Sequence, residues 1–119
     1  MKILYIHENP SKNALAELFF SEMGQECKSA TSLKEALAWK SLDAEIILLD
    51  IPLPFLSSKK ELKRIRALAG SNAKIVCLYE TTNREEFERL SSAGVQHYFP
   101  NTNHFEKLLR DLCALTSKN

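Results

Sequence analysis

The chain has 119 residues, 45% of them hydrophobic and 26% charged, and its 16 basic side chains stand against 15 acidic ones. That length suits one domain with its own core, so 1–119 reads as a single domain that needs no disulfide or metal staple. The near-neutral balance gives no electrostatic case for nucleic acid or an anionic membrane as partner, and no run approaches the roughly 20 apolar residues of a membrane span.

Two kinds of periodicity alternate along the chain. The apolar run Ile3–Ile6 predicts a first strand; His7 and Glu8 stop it after four residues, too short for the core of a secretory signal. Leu15, Leu18 and Phe19 at helical spacing predict a first helix closed by Gly24. A weaker strand signal spans Glu26–Ala30. Ser32 with Glu35 forms a capping box ahead of Leu33, Ala36 and Leu37. Trp39 lies off that stripe, placed either to pack on its neighbours or to anchor a partner. Glu45–Leu49 predicts a third strand. Ser58 with Glu61 opens a third helix carrying Leu62, Ile65 and Leu68, with Gly70 after it. Lys74–Tyr79 predicts a fourth strand. Thr82 with Glu85, or Asn83 with Glu86, opens a fourth helix carrying Phe87, Leu90 and Ala93 and ending at Gly94. Val95–Phe99 predicts a fifth strand. Asn103 and Glu106 open a fifth helix with Phe105, Leu108, Leu109, Leu112 and Leu115.

Strands separated by helices cannot pair as hairpins, so the sheet is expected to be parallel. Ile46–Leu49 is apolar at every position, as a strand covered on both faces requires. Five such units with right-handed crossovers predict an α/β, (βα)5 three-layer sandwich of flavodoxin-like form, sheet order 2-1-3-4-5. The first and fifth helices then share one face and the second to fourth share the other. A site is expected where strands one and three end, because the strand order reverses there. Strand one ends in His7-Glu8-Asn9-Pro10 and strand three in Asp50, which brings Glu8 and Asp50 together. An Asp after four apolar strand residues is expected to emerge at the strand end rather than lie deep in the sheet.

These residues resemble the receiver (response-regulator, CheY-like) domain of two-component signalling over essentially the whole chain. Ile47-Leu48-Leu49-Asp50 followed by Pro54 is similar to the family's phosphoacceptor segment. Leu53-Pro54 through Arg64-Ile65-Arg66 resembles its third-helix pattern, Ala30 with Glu35-Ala36-Leu37 its second strand and helix, and Ala93-Gly94 then Tyr98 its approach to the switch aromatic. The resemblance implies Asp50 as nucleophile of an aspartyl phosphate, Mg²⁺ as cofactor with Glu8 and Asp50 as candidate ligands, and a switch through Tyr79, Tyr98 and Asn101. It also implies phosphorelay signal transduction with a histidine kinase or output protein as partner. The docking surface would be the fourth helix, fifth strand and fifth helix, with Phe87, Leu90 and Tyr98 on it.

Five positions depart from the family pattern. The paired acids after strand one become His7 and Glu8, and His7 is a poor Mg²⁺ ligand. Tyr79 stands where a Thr or Ser is usual, large enough to set its hydroxyl on Asp50. Asn101 replaces the lysine that would clamp a phosphoryl oxygen, and Thr102 the proline after it. Each lost charge-assisted contact costs rate at tenfold per ~1.4 kcal/mol. The reading is therefore a pseudo-receiver, a binding module and not an enzyme, with phosphorylation at Asp50 weak or absent. The alternative is a working Mg²⁺-dependent phosphoacceptor phosphorylated on Asp50 by a histidine kinase.

Other chemistries find less support. A transition-metal site at His7, Glu8 and Asp50 lacks a spacing motif. His97 and His104 read as ordinary strand-end and helix-cap residues. Flavin binding on this fold needs a phosphate loop, and His7–Ser11 has no glycine and carries an acid. Lys59, Lys60, Lys63, Arg64 and Arg66 make the third helix basic, but no aromatic residues interleave, so it reads as a solvated face. Cys27, Cys77 and Cys113 are widely spaced with no C-x-x-C pair, which points to free thiols and a cytoplasmic location.

Overall fold

A computed structural model of the chain describes residues 1–39, 43–50, 59–70, 72–79, 85, 88, 91–92, 94–95, 97–100 and 104–116. Five parallel strands, β1 (Lys2–Ile6), β2 (Glu26–Ala30), β3 (Ile46–Leu49), β4 (Lys74–Tyr79) and β5 (His97–Pro100), form one sheet in the order β2-β1-β3-β4-β5. Four described helices cover it: α1 (Pro10–Glu22), α2 (Leu33–Leu37), α3 (Lys59–Ala69) and α4 (Phe105–Thr116). The last of these is the fifth helix of the sequence pattern. Of the expected fourth, Glu85, Glu88, Ser91 and Ser92 are described and helical, while Phe87, Leu90 and Ala93 lie outside the described residues.

Strand alternation divides the core into two layers. Leu4, Ile6, Ile47, Leu49, Ile75 and Cys77 face α2 and α3 and meet Leu33, Ala36, Leu62 and Ile65. Ile3, Tyr5, Ile46, Leu48, Val76 and Leu78 face α1 and α4 and meet Ala16, Phe20, Leu108, Leu109 and Leu112. Ile46 to Leu49 are all fully buried, the central strand read from its unbroken apolar run. The Ser32 half of the capping box holds as expected, with Glu35 N–H donating to Ser32 Oγ at 3.0 Å, while the Glu35 carboxylate reaches one residue further back and accepts from Thr31 N–H at 2.9 Å. Ser58 and Asn103, the expected openers of two other helices, lie outside the described residues.

Three local expectations differ from the structure. In α1 the buried face is Asn13, Ala16 and Phe20, whereas Leu15 and Leu18 are 58% and 57% exposed. The helix is phased by its start. Asn9 caps it by accepting Ser11 N–H at 2.9 Å, Pro10 fixes the first turn, and the polar Asn13 then falls against the sheet. The fifth strand begins at His97 rather than Val95, although Val95 is buried before it. Arg66 leaves the basic face of α3 to donate to Ala73 O at 3.1 Å and Gly94 O at 2.8 Å, so it ties α3 to the ends of the β4 connections. Trp39 packs against the α2–α3 layer with Lys28 Nζ 4.9 Å above its ring. At the end of α1, Gly24 takes φ +83°, a left-handed conformation that glycine adopts without strain.

All three cysteines are free: Cys77 is buried, Cys27 half-buried and Cys113 exposed. Burial, with Asp50 near Cys77 and Glu17 near Cys27, pushes both of those thiols up to about 12. At pH 8 only about one such thiol in ten thousand is ionised. Ellman's reagent is therefore expected to titrate Cys113 in the native chain at least ~100-fold faster than the other two, which react on unfolding. Three thiols reacting at one fast native rate would contradict this packing.

Candidate functional site

The crevice is set by register. Ile6 of β1 pairs with both Ala30 of β2 and Leu49 of β3, so all three strands end at one level. Asp50 N–H donates to Ile6 O at 2.8 Å and His7 N–H to Ala30 O at 3.2 Å, closing the strand ends. Asp50 follows directly but does not emerge: it is 5% exposed. A buried carboxylate needs partners, and it has two. The Tyr5 hydroxyl, from inside β1, donates to Asp50 Oδ2. Tyr5 itself is 0% exposed. Its ring stacks on His7 at 6.3 Å and meets Phe105 edge-on at 6.1 Å. Burial first, then the bond to Asp50, push the phenol well above its ordinary value, so it stays a neutral donor.

The second partner comes from α1. Asn13 is buried, and its Nδ2 donates to His7 O at 2.8 Å and Ala30 O at 3.3 Å. These bonds fix the rotation of the helix on the strand ends; Asn13 Oδ1 is buried with no hydrogen-bond partner among the described residues. The neighbouring Lys12 side chain, 25% exposed, lies with Nζ 3.8 Å from Asp50 Oδ2. Its ammonium also sits 6.0 Å from the centroid of the Phe105 ring.

His7 is half-exposed, and its Nδ1 already accepts Asn9 N–H at 2.9 Å. Glu8 is exposed. Among the described residues no three His, Cys, Asp or Glu side chains group to hold a metal, so His7, Glu8 and Asp50 do not form the transition-metal cluster considered from the sequence. Mg²⁺ demands several hard oxygen ligands around one centre. Here one Asp50 oxygen is engaged by a hydroxyl and faced by an ammonium, and the adjacent imidazole nitrogen is already an acceptor. The described donor set does not fit that ion.

Tyr79 is half-exposed at the end of β4, and the hydroxyl on Asp50 is that of Tyr5. Tyr98 is half-buried against the α2–α3 layer and donates to Val95 O at 3.0 Å; burial raises its phenol. Asn101, Phe87 and Leu90 lie outside the described residues. Burial and Lys74 lower His97, and His104 accepts Leu108 N–H at 3.2 Å at the start of α4. Tyr5 and Lys12 are the site residues that the sequence pattern passed over. Both carry a signal: a hydroxyl inside an aliphatic strand, and a cation in the first turn of a helix, where the dipole disfavours it.

No protein-family model matches the sequence, and no curated protein is recognisably similar to it. Solved structures are. The chemotaxis protein CheY4 of Vibrio cholerae superposes with a TM-score of 0.76 at 20% identity, covering 95% of this chain and 96% of its own. A two-component response regulator from Clostridium difficile gives 0.73 at 21%, covering 98% and 99%. The response regulator TrrA of Thermotoga maritima, solved in complex with Mg²⁺ and a beryllium fluoride, gives 0.70 at 27%, covering 96% and 97%. The structural neighbours are CheY-like receiver domains, and the likeness establishes the fold. Among the described residues no helix is long and apolar enough to cross a membrane.

Proposed function

We propose that this chain is a receiver-type module of two-component signalling that relays a signal through protein contacts, with Asp50 phosphorylated weakly or not at all. One observation carries the reading. The carboxylate at the phosphoacceptor position is buried and already engaged from within, hydrogen-bonded by the Tyr5 hydroxyl and paired with the Lys12 ammonium. A nucleophilic carboxylate needs a free lone pair and a path to its phosphodonor. Asp50 Oδ2 already accepts the Tyr5 hydroxyl and faces the Lys12 ammonium, which lowers the nucleophilicity of the carboxylate, and Asn101 brings no charge to replace a clamping lysine. The partners are a histidine kinase or an output protein in the cytoplasm, and the contact surface is that of the fourth helix, β5 and α4, with Phe87, Leu90 and Tyr98 on it. The module binds and does not catalyse.

The test is an amide NMR titration with Mg²⁺ and then beryllofluoride, a phosphoryl mimic. The expected result is no saturable shift at Asp50, Tyr79 or Tyr98 up to 20 millimolar Mg²⁺, roughly twenty times a millimolar affinity. Saturable shifts at all three would replace this reading with the Mg²⁺-dependent phosphoacceptor.

A further inference from the structure

We infer that Lys12 is a built-in counter-ion which takes the place of a divalent cation at Asp50, so that the site excludes Mg²⁺ by its own charge. The inference rests on the reading of Asp50 as a phosphoacceptor position, and it names the residue that sets that position's state. Three observations converge on it. The Lys12 ammonium lies 3.8 Å from Asp50 Oδ2; the carboxylate is 5% and the lysine side chain 25% exposed, so water screens the pair less than it would a surface pair. The lysine is also positioned rather than free. Asn13, the next residue, is anchored to His7 O and Ala30 O, and the lysine ammonium lies 6.0 Å from the centroid of the Phe105 ring of α4.

The third observation is where the lysine stands. Pro10 begins α1, so Lys12 falls in the first turn, which holds no acidic residue. The partial positive charge of a helix start repels a cation there. A lysine at that position is unfavourable for the helix and is offset only by a negative charge beyond it; Asp50 is that charge. A metal ion bound to Asp50 would sit within a few ångströms of both the ammonium and the helix start. Their repulsion raises its dissociation constant.

The experiment uses the full chain in three forms: native, Lys12→Met and Lys12→Arg. Met keeps the stem, its packing and helix propensity while removing the charge. Mn²⁺ and Mg²⁺ affinities are read from paramagnetic broadening and amide shifts at Glu8 and Asp50, with fold checked by the remaining spectrum. Lys12→Met is expected to bind at least tenfold tighter than the native chain, and Lys12→Arg to match the native chain. No gain in Lys12→Met, or an equal gain in Lys12→Arg, would overturn the role of Lys12. The two readings fail separately: beryllofluoride shifts in the native chain sink the proposed function, whereas an unchanged Lys12→Met affinity sinks only this inference.

Discussion

Replacing Tyr5 by Phe is expected to destabilise the chain by about 2 kcal/mol, within the ~1–3 kcal/mol that an unsatisfied buried polar group costs. The ring stays, and with it the packing on His7 and Phe105. Only the hydroxyl goes, and it is the hydrogen-bond donor on a carboxylate that is 5% exposed. The loss therefore measures the pocket and not the core. A double-mutant cycle with Asp50→Ala separates the two: once the carboxylate is gone, the hydroxyl has nothing to satisfy, and a coupling of roughly 1–2 kcal/mol is expected in urea unfolding. Two changes that add to within ~0.5 kcal/mol would mean the bond contributes nothing.

The same phenol gives a pH signature. Burial, then the bond to Asp50, raise its folded pKa well above the unfolded value near 10. Its contribution is therefore whole below pH 10. It is lost as pH rises from there, because the unfolded chain releases the proton while the folded chain holds it, at up to about 1.4 kcal/mol per pH unit. Cys27 and Cys77 begin a similar decline from about pH 9 in both forms, so the readout is the difference between them. Tyr5→Phe should show the shallower alkaline limb; parallel limbs would contradict the burial of this hydroxyl.

The order of strands and helices was legible because each strand is short, apolar and bounded, and each helix repeats at a different period. Ile46–Leu49 and the Ser32–Glu35 box needed no tertiary information. Asp50 was legible as a site residue because a charge ending an apolar strand is costly anywhere else. What was not legible depends on rotation and reach. The face of α1 is set by the polar Asn13 bonding to the carbonyls of His7, just past β1, and of Ala30, the last residue of β2, which hydrophobic spacing cannot register. Tyr5 reads as one more core aromatic in KILYI until β1 and β3 are placed side by side in register. Lys12 reads as a surface cation until the helix is turned to bring it to Asp50.

That rotation of α1 makes the second large prediction decisive. Phe20→Ala is expected to cost ~3–5 kcal/mol, the range for emptying a buried aromatic site. Phe20 is 0% exposed and lies 5.5 Å from Phe19 and 5.7 Å from Phe105, ring centroid to centroid, at the joint where α1 and α4 meet the sheet. At roughly 3–5 °C per kcal/mol for a chain of this size, the midpoint of thermal unfolding should fall by more than ~10 °C. Leu15→Ala, a deletion of similar chemistry about 1.4 turns away, should stay within ~0.5 kcal/mol because that side chain faces water. The apolar spacing of Leu15, Leu18 and Phe19 predicts the reverse order. The two variants measured in one denaturation series decide between the faces. A costly Leu15→Ala with a mild Phe20→Ala would turn the helix by about 140°. Such a rotation would carry Lys12 away from Asp50, so the same pair of measurements checks the element that delivers the ammonium to the site.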